Sequence, residues 1–527
     1  MSSIAGTWNG ARSATLDPYA NRYLIAFTVT LAAVMELLYT SIVNVAIPHM
    51  MGTLGATLDQ ITWVSTGYIV ANVIVLPLTG WLSALFGRRR YFAGSIALFT
   101  IASFFCGNAH SLPMLVFWRI VQGLGGGALL STAQATLYET FPPREYGTAM
   151  AIFGMGVMVG PTLGPTFGGY LTDALSWPWI FYINLPFGVA AFFLTLAYVR
   201  DSRHAAPAGR ADWIGLALLV AGIGSLQTLL ERGERLDWFS SKEILALALT
   251  SAVSIALFVW RELTTAHPVV DLSILKIRSF AVGVVMAGAL GACLYGPVFL
   301  LPVYLQQLQG FTANQTGLVI LPGAIASAFT MAIAARVSTR MDARYLVAAG
   351  VILFTASMWQ WSHFTTASGS GDFFWPLVLR GIGLGLVFVP LTNLSIASLP
   401  MAKIAQGTGL NNLMRQLGGS VGIAVTATLF TRFQVQVRSG LGQNVSDFSQ
   451  AAQERLAGLS SYLVAHGAPA SAAREQAVAL LEGQVTRQAM MISFERLFLL
   501  FGLTFLASLP LLLLMKRGRA AGGSLAH

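Results

Sequence analysis

The sequence predicts an all-α integral membrane protein of fourteen transmembrane helices, two six-helix bundles with two further helices inserted between them. Three observations carry that expectation. Of 527 residues, 55% are hydrophobic and 10% charged, with a mean hydropathy of +0.68, whereas an average soluble domain is about 25% charged. The apolar residues fall in runs near the ~20 residues that a bilayer crossing needs. Two arginine-led, glycine-rich stretches recur eight runs apart, Arg119-Ile120-Val121-Gln122-Gly123-Leu124-Gly125 and Arg380-Gly381-Ile382-Gly383-Leu384-Gly385, and internal repeats are the sequence signature of secondary transporters.

Taken in order, residues 1–22 are polar, with Arg12, Asp17 and Arg22. The run that starts at Tyr23 is too long for a signal-peptide core and has no evident cleavage site, so the first span is expected to be retained. The runs lie at 23–48, 61–86, 91–109, 112–138, 147–171, 177–199, 213–230, 244–260, 280–307, 315–335, 345–363, 373–397, 407–431 and 493–515. An even number puts both termini on one side. If that side is cytoplasmic, its segments hold nineteen basic residues: Arg12, Arg22, Arg88, Arg89, Arg90, Arg144, Arg200, Arg203, Arg210, Arg261, Lys276, Arg278, Arg336, Arg340, Arg344, Lys403, Lys516, Arg517 and Arg519. The opposite short loops hold three, Arg232, Arg235 and Lys242. Positive residues stay inside, so both ends are expected to be cytoplasmic. Segment 432–492 contains amphipathic stretches at 446–464 and 471–490, parted by His466-Gly467-Ala468-Pro469, and is expected to form a helical hairpin on the far side.

The organisation that follows is a cytoplasmic segment 1–22, a first bundle 23–199, a linker 200–279 with the two inserted helices, a second bundle 280–515 that includes loop 432–492, and a tail 516–527. The formal charge of +10 sits in short clusters between apolar runs, which is membrane topology and not a nucleic-acid surface. Cys106 and Cys293 both lie inside apolar runs, so neither a disulfide framework nor a metal spacing exists.

Intramembrane charge selects the candidate functional residues, because an ionisable group at bilayer depth is costly unless paired or hydrated. Of 21 acidic residues only Glu36 lies deep within a predicted span, about midway along the first. Glu139 and Asp173 are near helix ends. Arg119, Arg380 and Arg415 are the intramembrane cations. Arg119 is expected to act with Glu36, either by tuning its proton or as a permanent ion pair. For Arg380 and Arg415 a structural link between helices and a role in the pathway stand side by side. Gly156, Gly160, Gly164 and Gly168 recur every four residues, one helix face that allows close contact. Pro161 and Pro165 each delete a helix hydrogen bond, which favours a shaped, bendable helix.

Six stretches together resemble the major facilitator superfamily, and within it the fourteen-helix drug/proton antiporters of Emr-type multidrug exporters. Gly80-Trp81-Leu82 to Gly87-Arg88-Arg89-Arg90 is similar to the loop signature between helices 2 and 3. Leu115 to Gly125 resembles the helix 4 motif. Gly156 to Gly160-Pro161, Gly164-Pro165 and Gly168-Gly169 resemble the antiporter motif of helix 5. Trp177 to Pro186, Asp237 to Ser241 and Arg415-Gln416-Leu417-Gly418-Gly419 are similar to further Emr-type stretches. The resemblance implies a major facilitator fold in a bacterial inner membrane, with no cofactor beyond the proton gradient. It also implies a periplasmic adaptor and an outer-membrane channel as partners. The chain departs from the family twice: Ala84 stands where an Asp of the gate is usual, and Tyr39 where helix 1 ordinarily carries an Asp. Glu36, three residues before Tyr39, lies on nearly the same face and is the candidate to take over proton binding.

These readings converge on a proton-coupled antiporter that exports hydrophobic or amphipathic toxic compounds by alternating access. The substrate cavity is expected to be lined by Tyr39, Asn44, Asn72, Tyr295, Phe299 and Gln306, with Pro297, Pro302 and Tyr304 on the same helix as the last three. An aromatic, mostly apolar site tolerates many ligands. Competing classes are a dedicated exporter of one endogenous compound, such as a fatty acid or siderophore, a membrane-embedded enzyme and a passive channel. An enzyme lacks a catalytic constellation here, and a channel lacks a repeated polar lining.

Overall fold

A computed structural model describes residues 21–202, 212–265, 268–366, 368–369, 371–445 and 449–515. The expected terminal segments, with Arg12, Lys516, Arg517 and Arg519, and the linker residues Arg203 and Arg210 lie outside the described residues. The described residues form helices and no strands: α1 (Arg22–Leu54), α2 (Asp59–Phe86), α3 (Arg88–Gly107), α4 (Leu112–Thr140), α5 (Tyr146–Ala174), α6 (Trp179–Tyr198), α7 (Trp213–Arg232), α8 (Lys242–Thr264), α9 (Arg278–Leu308), α10 (Ala313–Val337), α11 (Ala343–Trp361), α12 (Phe374–Ile396), α13 (Ile404–Asn444), α14 (Gln450–Ala465) and α15 (Ala470–Leu506). Ten of the described helices are long and apolar enough to cross a membrane by length and composition.

Local chemistry sets several boundaries. Thr312 opens α10 through a capping box in which its Oγ1 accepts from the Gln315 amide at 3.2 Å and the Gln315 carboxamide oxygen accepts from the Thr312 amide at 2.9 Å. Gly87 sits at φ +81° before α3, a conformation a glycine adopts without strain.

The repeat in the sequence is also a repeat of packing. In the first group α1 packs on α5, α2 and α3 on α4, and α3 on α6; in the second α9 packs on α13, α10 and α11 on α12, and α11 on α15. The glycine-rich motifs explain why. Cβ atoms at Gly123 and Gly127 of α4 would collide with the backbone of Tyr68 and Asn72 in α2, and Cβ atoms at Gly381 and Gly385 of α12 with the backbone of Gly323 and Ser327 in α10. Each motif therefore lets two helices meet backbone to backbone.

The two groups touch at one end of the bundle. Gly80 of α2 abuts Gln406 of α13, and Gly147 of α5 abuts Ala335 of α10. Tyr138 of α4 donates to Asn393 of α12 at 2.8 Å. Thr408 of α13 donates to the Ser131 carbonyl at 3.2 Å. These contacts bring together the C-terminal ends of α2, α4, α10 and α12 and the N-terminal ends of α5 and α13.

Of the two inserted helices, α7 lies across the seam and α8 packs on it. Asp212 caps α7, accepting from the Gly215 amide at 3.1 Å, and pairs with Arg261 of α8 at 2.8 Å. From α7, Arg232 reaches Asp59 at 3.3 Å and lies over the Trp63 ring at the start of α2. On the other side Gln227 donates to Ser420 of α13 at 2.8 Å, Trp238 donates to Thr428 at 2.8 Å and Thr431 donates to Glu234 at 3.1 Å.

Segment 432–492 contains the expected helical hairpin, α14 packing on α15 across the turn at 466–469, but the hairpin is not separate from the spans. At 41 residues, α13 is about 60 Å long at 1.5 Å per residue, twice the ~30 Å hydrocarbon thickness. The expected stretch 446–464 is α14. The stretch 471–490, in contrast, is continuous with the last span, since no proline interrupts 470–506 and α15 runs through. Glu482 pairs with Arg438 of α13, and Arg487 donates to the Leu308 carbonyl at 2.9 Å.

Cysteines placed at positions 234 and 431, in a chain whose two native thiols are buried, should be joined by a short bifunctional thiol reagent, shifting mobility on a denaturing gel. Moving the second cysteine to 435 should abolish the product. Equal yield from both pairs would contradict the contact between the α7–α8 turn and α13.

Candidate functional site

Glu36 occupies the middle of α1, 3% exposed. The helix is held there by α5, whose glycine face follows it in parallel register. A Cβ at Gly156 would strike Thr30 and Val34, one at Gly160 would lie 2.7 Å from the Leu37 carbonyl carbon and the Leu38 nitrogen, and one at Gly168 would lie 3.0 Å from the Ile42 carbonyl oxygen. The backbone beside Glu36 is thus seated directly on Gly160. Gly164 is buried, and Gly169 faces α1 loosely, 3.9 Å from Val45. The side chains of Pro161, Pro165, Tyr39 and Asn44 lie outside the described residues.

One carboxylate oxygen of Glu36, Oε1, accepts a hydrogen bond from Asn72 Nδ2 at 2.8 Å. The other, Oε2, is buried and makes no hydrogen bond among the described residues. Asn72 comes from α2 and is itself 2% exposed. One turn earlier on the same face is Tyr68, also buried, and the Arg119 guanidinium lies 4.3 Å from its ring centroid. Arg119 of α4, 1% exposed, donates from Nε to the Val64 carbonyl at 2.7 Å and from Nη1 to Gln122 Oε1 at 3.0 Å. The structure places Glu36 and Arg119 at the two ends of an α2 face, Asn72 serving the acid and Tyr68 the cation. Gly126 of α4 makes room for both: a Cβ there would lie 2.7 Å from the Tyr68 hydroxyl and 3.2 Å from Asn72 Nδ2.

The charge facing Glu36 from the second helix group is Arg415 of α13. Its guanidinium donates to Asn412 and lies 5.1 Å from the Phe388 ring centroid. Asn412 in turn donates to Ser131 at 3.1 Å and Gln134 at 2.8 Å, both on α4, so a polar chain crosses from one group to the other. The motif that follows Arg415 is a packing device. A Cβ at Gly418 would meet the backbone of Gly288, and one at Gly419 the ring of Tyr295. Tyr295, against Gly419, is within electrostatic reach of both Arg415 and Glu36.

The other expected residues separate into distinct surroundings. Phe299 is 41% exposed, and Gln306 is exposed on a π-helical turn, Tyr304–Leu308, at the end of α9. Tyr304 is fully buried, edge-on to Trp361, Phe373 and Phe494, and belongs to the core. Arg380 of α12 is 7% exposed and its Nε has no partner.

The basic loop carries its own lock. Arg88, 5% exposed, pairs with Glu139 at 2.7 Å, and Ser202 donates to the same carboxylate at 2.7 Å. Asp201 closes the turn before α3: its Oδ1 accepts from the Arg89 amide at 3.0 Å and would be 2.9 Å from a Cβ on Gly87. Sequence reasoning missed Tyr68 and Asp201, whose partners lie far away in the chain. It also missed Glu262, which follows the apolar run 244–260 yet is buried at the end of α8 and accepts from the Val270 amide at 3.2 Å. Among the described residues no group of three or more His, Cys, Asp or Glu is placed to hold a metal ion.

Comparison with known proteins agrees with this architecture. Residues 29–423 match the family model described as Major Facilitator Superfamily. The chain is 36% identical over 509 residues to the multidrug export protein EmrB of Escherichia coli (strain K12), covering 96% of this chain and 97% of that one. It is 34% identical to the fatty acid resistance protein FarB of Neisseria gonorrhoeae, covering 95% and 97%. Among solved structures, the human organic anion transporter MFSD10 superposes with a TM-score of 0.57 at 14% identity, covering 92% of this chain and 99% of that one, a likeness of fold.

The α5–α1 contact yields a paired expectation. Gly160→Ala forces a Cβ against the α1 backbone and should lower stability by about 1–3 kcal/mol, the usual range for overpacking, together with transport. Gly169→Ala, with 3.9 Å of clearance, should change neither. Thermal unfolding of the detergent-purified variants checks both. Equal tolerance at the two sites would remove the seat assigned to Glu36.

Proposed function

The chain belongs to the Major Facilitator Superfamily, and we propose that it is a multidrug exporter, an antiporter that expels hydrophobic or amphipathic toxic compounds across the bacterial inner membrane in exchange for protons. The observation that carries this reading is the near-full-length similarity to a multidrug export protein, taken with a single buried acid on α1. An enzyme is not indicated, since family and fold are those of transporters.

Four long helices, α1, α5, α11 and α13, add to the ten apolar ones to make fourteen spans, with 1–22 and 516–527 in the cytoplasm and 432–492 in the periplasm. The bundles are 23–199 and 280–515, joined by the linker 200–279. In that orientation the end at which the two groups meet is the cytoplasmic end, so the state is outward-facing. The projecting parts of α13 and α15, with α14, form the surface that a periplasmic adaptor and an outer-membrane channel would engage.

Glu36 is the coupling group. In a dry surrounding the ionised form of a carboxyl is disfavoured, so the proton rests on the oxygen that Asn72 leaves free. It is lost when water or a cation reaches the site, and Arg415 on the opposing group is the nearest permanent charge to approach as the groups rock. Arg119, engaged by Val64, Gln122 and Tyr68, keeps α2 and α4 in register and so tunes Glu36 through Tyr68 and Asn72. Proton and substrate exclude each other because both claim the same cavity face, with Asn72 and Tyr295 at its walls.

Glu36→Gln keeps size and hydrogen bonding but releases no proton. In proteoliposomes, export driven by an imposed pH gradient should fall to the rate without a gradient, while the yield of folded protein and substrate binding stay near wild type. A protonophore should have the same effect on the wild type. Undiminished pH-driven export by Glu36→Gln would refute the coupling role.

A further inference from the structure

The two motif arginines stand in equivalent places of the repeat but in unlike surroundings. Arg119 has an acceptor three residues on, Gln122 Oε1 at 3.0 Å, a carbonyl on α2 at 2.7 Å and an aromatic face at 4.3 Å. In the second copy the residue three positions on is Gly383, whose Cβ position is filled by Gly350 and Phe354 of α11, so the in-helix acceptor is gone. Arg380 makes no hydrogen bond, ion pair or ring contact among the described residues. It is nevertheless 93% buried by its 7% exposure, with Nε shut off from solvent.

The acids on the helices of its own group are confined to α15, Glu475, Glu482 and Glu495, and none forms an ion pair with Arg380 among the described residues. Helices α9, α10, α11, α12 and α13 contain no acidic residue. The other buried cation of the group, Arg415, is engaged by Asn412 and Phe388, and the buried acid of the first group, Glu36, is held by Asn72. Arg380 shares its helix face with Leu384 and Phe388, one and two turns along, and Phe388 is the ring on which Arg415 rests. The unpartnered guanidinium therefore projects from the same apolar face of α12 that reaches the central charges. A fixed cation beside apolar side chains, with its planar fork unfilled, matches an anionic head group on a greasy body.

We propose that Arg380 is the substrate-recognition residue for amphipathic anions, carboxylates foremost, pairing through its guanidinium with the head group while the apolar face of α12 takes the hydrocarbon. This deepens the exporter reading and rests on it. The first group supplies the proton site, the second the anion site, and the two arginines of the repeat have diverged into a structural one and a ligand-binding one.

The test uses the full chain in phosphatidylcholine nanodiscs, so that no anionic lipid competes, and measures equilibrium binding of a fluorescent medium-chain carboxylate and of its methyl ester. The wild type should prefer the acid. Arg380→Gln should weaken acid binding by about tenfold or more, the loss of a charge-assisted pair, and bring acid and ester together, whereas Arg380→Lys should fall between. Thermal unfolding separates this from a structural role: Arg380→Gln should unfold at or above the wild-type temperature, and Arg119→Gln below it. Equal binding of acid and ester by the wild type, or unchanged preference in Arg380→Gln, would overturn the assignment. So would displacement of the probe by phosphatidylglycerol combined with no preference for the acid, which would give the arginine to lipid. Intact acid binding without pH-driven export of any probe would refute the exporter reading and leave the site standing.

Discussion

The structure is organised by one constraint, the cost of leaving an ionisable group inside a bilayer without a partner. Each intramembrane charge meets it differently. Arg119 is engaged by three groups on α2 and α4. Arg415 leans on Asn412 and Phe388. Glu36 is half satisfied, one oxygen bonded to Asn72 and the other left over. Arg380 makes no hydrogen bond or ion pair among the described residues, its Nε buried without a partner. In the function proposed above, this gradient across the two helix groups separates what holds helices together from what is available to exchange a proton or a ligand.

Glycine is the means by which the partners reach those charges. Side-chain partners as short as Asn72 serve a buried acid only if the helices that carry them come within backbone contact, and the positions that permit it are Gly123, Gly126 and Gly127 under α2 and Gly156, Gly160 and Gly168 under α1. Residues that mark the family in sequence, Gly123, Gly156, Gly160 and Gly168, are thus among those that set the distance between α1, α2 and α4. Function follows from packing here in a direct way: the acid lies mid-helix, and its surroundings are fixed by residues that have no side chain.

The helical plan was legible in the sequence because apolar runs and charge clusters are local signals. All of the expected runs have a described helix over them, and the eightfold offset between Arg119 and Arg380 reappears as equivalent packing. What was illegible is pairwise and distant. Asn72 was expected on the cavity wall, but its bond to Glu36 joins residues 36 positions apart. The carboxylate at the Gly87–Arg89 turn comes from Asp201, beyond α6. Charged Glu482 and Arg487 made 471–490 look separate from the last span, yet without a proline the helix simply continues. The contrast between Arg119 and Arg380 hides in a substitution three residues on, Gln122 against Gly383, which is silent until both surroundings are seen.

The central claim is that the free oxygen of Glu36 carries a proton that substrate displaces. The measurement that tests it most directly is the proton released when an amphipathic substrate is added to the weakly buffered, purified protein, followed with a pH indicator across a range of pH. The account predicts proton release on binding that disappears in Glu36→Gln and survives in Arg88→Lys, a change at the remote loop. Substrate binding with no proton released, or release undiminished in Glu36→Gln, would contradict it.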